Sequence, residues 1–266
     1  MASELSSIEP LLPLLGRSPL GLFSDIDGTL SPIVPDPDKA AISSRSRELL
    51  TQLIGLGVRV ALITGRSLEK AIEMGPLRGA AYAANHGLTL HVEGRTEAAD
   101  DLRSYAAKAR RVLQQVHAVS ASGVRIEDKG PVLAFHYRTA ENQRAARQTI
   151  LDAISRSRAG ASFAVHEGRK VIELRPRTAV DKGTAARVLA GRLGVQSLIC
   201  MGDDATDVDM FRAAAALLEE GIPAASIAVR NEEASEELFA VADYWLPGVP
   251  GVEWFLGELV RSLSGR

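Results

Sequence analysis

Three short apolar runs, each ending in a cluster of oxygen-bearing residues, constrain this chain more than any other feature. Leu20 to Ser24 runs into Asp25-Ile26-Asp27-Gly28-Thr29. Val58 to Ile63 runs into Thr64-Gly65-Arg66, and Ser197 to Met201 into Gly202-Asp203-Asp204-Ala205-Thr206-Asp207. A short, continuously apolar run bounded by turn residues reads as a strand buried on both faces. Helical patterns lie between them. Leu49, Leu50, Leu53 and Ile54 recur at helical spacing over 43–55, with Ser43 or Ser44 as N-cap, and further helices are expected at 67–74, 182–193 and 207–218. Further strands are expected at 80–84, 226–229 and 243–246. Buried strands separated by helices predict parallel βαβ units, and open sheets of that kind bind ligands outside the carboxyl ends of their strands. All three polar clusters fall there.

Residues 95–175 break this alternation. They read as a helix over 100–119, strands at 124–128 and 132–138 around Lys129-Gly130-Pro131, a helix over 141–157, and strands at 162–166 and 170–174 around Glu167-Gly168-Arg169. The expected fold is therefore α/β: a Rossmann-like parallel-sheet core in two pieces, 1–94 and 176–266, carrying an inserted αββαββ domain. Charge follows the same division. Residues 95–175 hold 15 Lys and Arg against 9 Asp and Glu, and the remainder holds 16 against 24. A basic insert beside an acidic core would draw a small anion to a metal site. Scattered surface charge accounts for the numbers equally well.

The overall charge of −2 argues against a dedicated nucleic-acid binder. One cysteine, Cys200, forms no internal disulfide and fits a reducing compartment. No run of 18 apolar residues suggests a membrane span. The first twenty residues, interrupted by Glu4, Pro10, Pro13 and Arg17, do not read as a signal peptide. A cytoplasmic monomer with no membrane or nucleic-acid partner is expected.

The clusters carry the chemistry. Asp25 and Asp27 are spaced to project two carboxylates from a strand end, with Gly28 allowing the sharp turn. A plain Asp-Gly turn gives the same residues. A calcium loop does not, because its sixth and twelfth positions would be Leu30 and Asp36. Thr64 and the Gly65 backbone can hold a phosphate oxygen. Lys182, in Asp181-Lys182-Gly183 at a helix start, can neutralise phosphate charge. Asp203, Asp204 and Asp207 offer hard oxygen donors suited to Mg²⁺, although acids also cap helix starts. Trp245, Trp254, Cys200 and the stretch Ala213 to Ala216 read as packing.

In this order the clusters resemble the motifs of the haloacid dehalogenase superfamily of phosphatases and mutases. The resemblance implies that Asp25 is a nucleophile forming an aspartyl-phosphate, and that Asp27 is the general acid and then the base. Thr64, Gly65 and Lys182 would bind the phosphoryl group. Asp25, the Asp27 carbonyl and Asp203 would hold Mg²⁺, with Asp204 and Asp207 in support. An insert at 95–175 would be a cap over the site. Further motifs are Asn85-His86-Gly87, Glu127-Asp128-Lys129-Gly130, His136-Tyr137-Arg138, and Gly168 to Pro176 leading into Asp181-Lys182-Gly183. With these the chain resembles the trehalose-6-phosphate phosphatases over about residues 20–250. That resemblance implies Mg²⁺-dependent hydrolysis of a sugar phosphate, trehalose 6-phosphate. Glu127, Lys129 and Glu173 would meet sugar hydroxyls, with Arg138 and His86 supporting. Val180 departs from the tryptophan expected before Asp181. Alternatives are a phosphatase for sucrose 6-phosphate or a glycosyl-3-phosphoglycerate, a phosphomutase, and a non-catalytic domain that senses a sugar phosphate.

Overall fold

A computed structural model describes residues 2–34, 36–99, 102–116, 119, 123–168, 170–232 and 234–265. In chain order its elements are β1 (Ser3–Glu4), α1 (Leu12–Leu15), β2 (Leu20–Ser24), α2 (Ser44–Gly55), β3 (Arg59–Ile63), α3 (Leu68–Glu73), β4 (Ala81–Ala84), β5 (Thr89–Val92) and β6 (Arg95–Ala98). Then come α4 (Leu102–Val116), β7 (Arg125–Asp128), β8 (Leu133–His136), α5 (Gln143–Arg156), β9 (Phe163–Gly168) and β10 (Val171–Pro176). The chain ends with α6 (Lys182–Arg192), β11 (Ser197–Gly202), α7 (Asp207–Glu219), β12 (Ala224–Arg230), α8 (Glu236–Val241), β13 (Tyr244–Pro247) and α9 (Gly248–Ser264).

Two compact units result. One is Met1–Glu97 with Val180–Arg266, the other Ala98–Ala179. Both boundaries lie a few residues beyond the expected 95 and 175. At the first, β6 pairs into the sheet of the first unit. At the second, β10 pairs with β9 as far as Pro176. Of the helix expected over 100–119, residues 100, 101, 117 and 118 lie outside the described residues, as does Arg169 of the second hairpin link.

The first unit is built on a nine-stranded sheet of order β1-β13-β12-β11-β2-β3-β4-β5-β6. Strands β11, β2, β3 and β4 lie side by side and parallel. The chain adds β3 and β4 on one side of β2, then returns to add β11, β12 and β13 on the other. The reversal places the switch point at β2, where open α/β sheets open a crevice at their carboxyl ends.

Alternation along the central strands explains why each is apolar throughout. Leu22, Val60, Leu62, Ile199 and Met201 join one core with Leu49, Leu50 and Leu53 of α2 and Val252, Phe255 and Leu256 of α9. Phe23, Ala61, Ile63, Leu198 and Cys200 join the other with Ala186 and Leu189 of α6 and Phe211 and Leu217 of α7. Both faces are covered, so neither alternate position is polar. Ser43 caps α2, accepting the Ser46 N–H at 3.0 Å. Trp254 packs against the first core and Trp245 against the second, where the Arg230 guanidinium lies over its ring.

Two elements lack a clear sequence signal. The β5–β6 hairpin turns on Glu93 and Gly94, both at positive φ, but its strands are only partly buried or exposed and show no apolar alternation. Helix α9 begins with Gly248, Pro250 and Gly251 in its first turn. Proline is tolerated there because the first N–H groups of a helix have no intrahelical acceptor.

The second unit is a four-stranded antiparallel sheet, β7-β8-β10-β9, with α4 and α5. Ile126, Phe135 and Ile172 form one cross-strand row on the face packed with Val112 and Ile150 of these helices. Glu127, Ala134, Glu173 and His166 form a row on the other face.

Candidate active site

Because β11, β2, β3 and β4 are consecutive in the sheet, the turns that follow them stand in a row. The Asp25 N–H donates to Met201 O at 2.9 Å, and the Thr64 N–H to Ala83 O at 2.8 Å. Each bond carries a ladder one residue past the end of its strand. The turn after β2 then closes on Ile26 O, which accepts from Leu30 and Ser31 N–H. Gly28 sits at φ 79° within it, and a Cβ there would lie 2.1 Å from Asp203 Oδ2. Only glycine meets both demands.

Lys182 opens α6, whose N-cap Asp181 forms a capping box with Thr184. Its Nζ lies 3.0 Å from Asp25 Oδ1 and 2.8 Å from Asp207 Oδ1, and the side chain is only 3% exposed. Asp207 Oδ2 accepts from the Asp203 and Asp204 N–H groups at 3.0 and 3.1 Å. Asp207 thus has both oxygens engaged in holding Lys182 and the Asp203 turn. Asp203 Oδ2 accepts from Asn231 Nδ2 at 2.9 Å, while its Oδ1 is buried with no hydrogen-bond partner.

One oxygen from each of Asp25, Asp203 and Asp207 lies within 4.8 Å of the others. The electrostatics are those of a crowded anionic site. Burial pushes Asp25 well above the usual carboxylate range, against the pull of Lys182. Burial, then Asp207 and Asp204, push Asp203 up to about 8. Burial pushes Asp207 up to about 6, with Lys182 opposing. Burial alone would lower Lys182, but Asp207 and Asp25 outweigh it and hold the ammonium above its ordinary value. Burial would likewise raise Asp204, but Lys182 and Thr206 hold it low. Four carboxylates around one lysine leave net negative charge in a buried place, which is costly without a cation. An unpartnered oxygen among hard donors fits a divalent metal.

Asp27 points its carboxylate elsewhere. Arg66 grips it through two parallel bonds, Nε to Oδ2 at 2.8 Å and an Nη to Oδ1 at 2.7 Å. The carboxylate oxygens that approach one another are therefore those of Asp25, Asp203 and Asp207, and not those of Asp27. Neither Arg66 nor Asn231 had been assigned a role from the sequence. Arg66 stood within Thr64-Gly65-Arg66, and Asn231 directly follows β12, again at a strand's carboxyl end.

A family model for trehalose-phosphatase matches residues 23–244. The chain belongs to the trehalose-phosphatase family. A trehalose-phosphate phosphatase of Mycobacterium marinum is 34% identical over 279 residues, covering 98% of this chain and 68% of the relative. A trehalose 6-phosphate phosphatase of Zea mays is 31% identical over 233 residues, covering 79% of this chain and 63% of the relative. Among solved structures, the C-terminal domain of a Candida albicans trehalose-6-phosphate phosphatase matches 98% of both chains at a TM-score of 0.81 and 22% identity, a likeness of fold. The α/β core with an α+β insert is a fold this chain shares with that solved domain.

The family resemblance also named residues of the second unit. Lys129 Nζ donates to Glu173 Oε1 at 2.8 Å, and Arg175 holds Glu173 Oε2 through Nε and an Nη. His136 Nε2 lies 2.9 Å from Glu127 Oε2. These groups share the polar face of the sheet. Arg138 lies past the end of β8, in the segment leading to α5, where its carbonyl accepts from Gln143. It therefore does not alternate with His136 along a strand. His86 belongs to the first unit, buried beside Gly65.

Among the described residues no helix is long and apolar enough to cross a membrane.

Proposed function

We propose that this chain hydrolyses trehalose 6-phosphate to trehalose and phosphate through a covalent phosphoryl-aspartate on Asp25, with Mg²⁺ as cofactor. The observation that carries the reading is Asp25 set against Lys182 within an under-neutralised carboxylate group, in a member of this family. A buried lysine and a metal neutralise the charge that otherwise repels a carboxylate from a phosphate dianion.

An Asp25 oxygen attacks phosphorus, the bond from phosphorus to the sugar oxygen breaks, and Asp27 gives that oxygen its proton. Water then attacks phosphorus, Asp27 takes a proton from it, and the Asp25–phosphorus bond breaks to release phosphate. Arg66 holds both oxygens of Asp27 by one bond each, so each transfer uses the second lone-pair site of an oxygen that stays oriented by the guanidinium. Thr64, Gly65 and Lys182 hold the phosphoryl oxygens. Asp25, Asp203 and the Asp27 carbonyl would hold Mg²⁺, which supplies charge neutralisation when bound. Asp207 and Asp204 keep the lysine and the Asp203 turn in place.

In the same reading residues 98–179 act as a cap, and Glu127, Lys129 and Glu173 exchange their mutual hydrogen bonds for sugar hydroxyls, with Arg138 in support. Every residue named comes from one chain, so a monomer suffices, and buried Cys200 is compatible with a reducing cytoplasm.

Phosphate release from a panel of sugar phosphates, with Mg²⁺ and with chelator, tests the reading. The expected outcome is fastest turnover on trehalose 6-phosphate and loss of turnover with chelator. Equal or faster turnover of sucrose 6-phosphate or glucosyl-3-phosphoglycerate sinks the substrate. Chelator-insensitive turnover sinks the metal.

A further inference from the structure

Asn85, His86 and Gly87, directly after β4, are three successive residues in left-handed backbone, at φ 51°, 58° and 99°. Two of them carry side chains, for which this conformation is strained and persists only where the surroundings over-determine it. Two hydrogen bonds do so. The Asn85 N–H donates to Arg66 O at 2.8 Å, and the His86 N–H to Thr64 O at 2.9 Å. The accepting carbonyls belong to the residues on either side of Gly65. Between them the Cε1–Nε2 edge of the His86 ring lies against the glycine. A Cβ at Gly65 would stand 2.6 Å from both Cε1 and Nε2, and its three nearest atoms would all belong to that ring. Thr64 and His86 are both buried.

We infer that His86 is a positioning residue: its imidazole is the seat on which the Thr64-Gly65 turn rests, fixing where the Thr64 hydroxyl and the Gly65 N–H stand. Glycine is required at 65 because the ring occupies the place of a side chain. This gives His86 a task within the first unit in place of the sugar contact implied by resemblance. The inference rests on the reading of Thr64 and Gly65 as phosphate-binding.

The test is a double-mutant cycle on the full chain with Gly65→Ala and His86→Asn. Gly65 does not have positive φ, so alanine suits its backbone and meets only the ring. Asparagine tolerates left-handed backbone but is too short to reach Cε1 and Nε2. Turnover is read on trehalose 6-phosphate and on p-nitrophenyl phosphate, and binding by inhibition with inorganic phosphate.

Gly65→Ala lowers kcat about 100-fold, the scale of a displacement of about 1 Å. His86→Asn lowers it about tenfold, and weakens phosphate inhibition by about as much. The double variant matches His86→Asn, because the added methyl no longer meets a ring. Losses that multiply in the double variant overturn the inference, as does a His86→Asn protein with wild-type kcat. Should His86→Asn melt below the assay temperature, His86→Gly, which also accepts left-handed backbone and lacks the ring, carries the same cycle. If wild type cleaves p-nitrophenyl phosphate but not trehalose 6-phosphate, the substrate reading fails, and the cycle on the aryl ester still decides the role of His86.

Discussion

The two units hold their charges in opposite ways. In the first, Asp25, Asp203, Asp204 and Asp207 converge on one buried lysine, and an Asp203 oxygen is left without a partner. In the second, Glu173 is held by Lys129 on one oxygen and Arg175 on the other, and Glu127 faces His136. The first arrangement leaves its carboxylates under-neutralised, and in the proposed reading a cation and a phosphate ester complete it. The second pairs its charges within itself, so a bound group competes with these hydrogen bonds. Charge imbalance suits bond-making at phosphorus, whereas balanced polar pairs suit discrimination among hydroxyl groups.

The largest effect expected is on the first unit alone. Asp25→Asn removes the nucleophile and lowers kcat by about 10⁴-fold or more on every phosphate ester, as loss of a covalent nucleophile does elsewhere. Because the lost charge is one that burial opposes, the variant's metal-free melting temperature stays at or above wild type. Substantial residual turnover in steady-state assays would remove Asp25 from its role.

Next in size is the converse, an effect confined to sugar substrates. Glu173→Gln keeps the shape of the polar row but cannot hold both cations. It lowers kcat/KM on trehalose 6-phosphate by about 100-fold, the cost of unpaired buried polar groups, and on p-nitrophenyl phosphate by threefold at most. Equal losses on both substrates break the division of labour.

Arg66→Lys replaces two parallel bonds to Asp27 with a single point charge. A tenfold loss in kcat with KM changed less than about threefold is expected, since Asp27 acts in the transition state. A change in KM alone would make Arg66 a substrate contact instead.

The smallest effect is on stability and metal affinity. An unfolded aspartate loses its proton near pH 4, but Asp203 in the folded protein keeps its proton up to about 8. The metal-free protein therefore loses stability as pH rises through that range, because the folded state binds the extra proton. A metal must displace that proton, so the apparent Mg²⁺ affinity rises by up to about tenfold per pH unit until about pH 8. Melting curves from pH 5 to 8, with and without Mg²⁺, check both signs. A metal-free protein that gains stability over this range contradicts the raised proton affinity that burial gives Asp203.

Much of the first site was legible because its residues hang on strand ends. Apolar runs located β2, β3 and β11, and Asp25, Asp27, Thr64, Asp203 and Asp207 follow within a few positions, whereas Lys182 opens α6. Arg66 and Asn231 carry no local signal of their role, because what they hold, Asp27 and Asp203, lies 39 and 28 residues away. Arg138 follows the apolar run Val132 to Phe135 through His136 and Tyr137, which extends the strand-like stretch, yet pairing with β7 and β10 ends at His136. The β5–β6 hairpin escaped because an edge with no buried face imposes no pattern.

By itself the sequence determined the α/β class, the αββαββ insert and the acids that stand at the strand ends. Local periodicity and strand-end position are properties of short segments, and they survive without knowledge of the rest. Only the tertiary structure decided which carboxylates share a lysine, that Arg66 takes Asp27, that Glu173 is held from both sides, and that a histidine fills the place of a side chain at Gly65. Those facts depend on which strands are neighbours. Neighbour order is set by packing across the whole sheet, which no segment encodes alone.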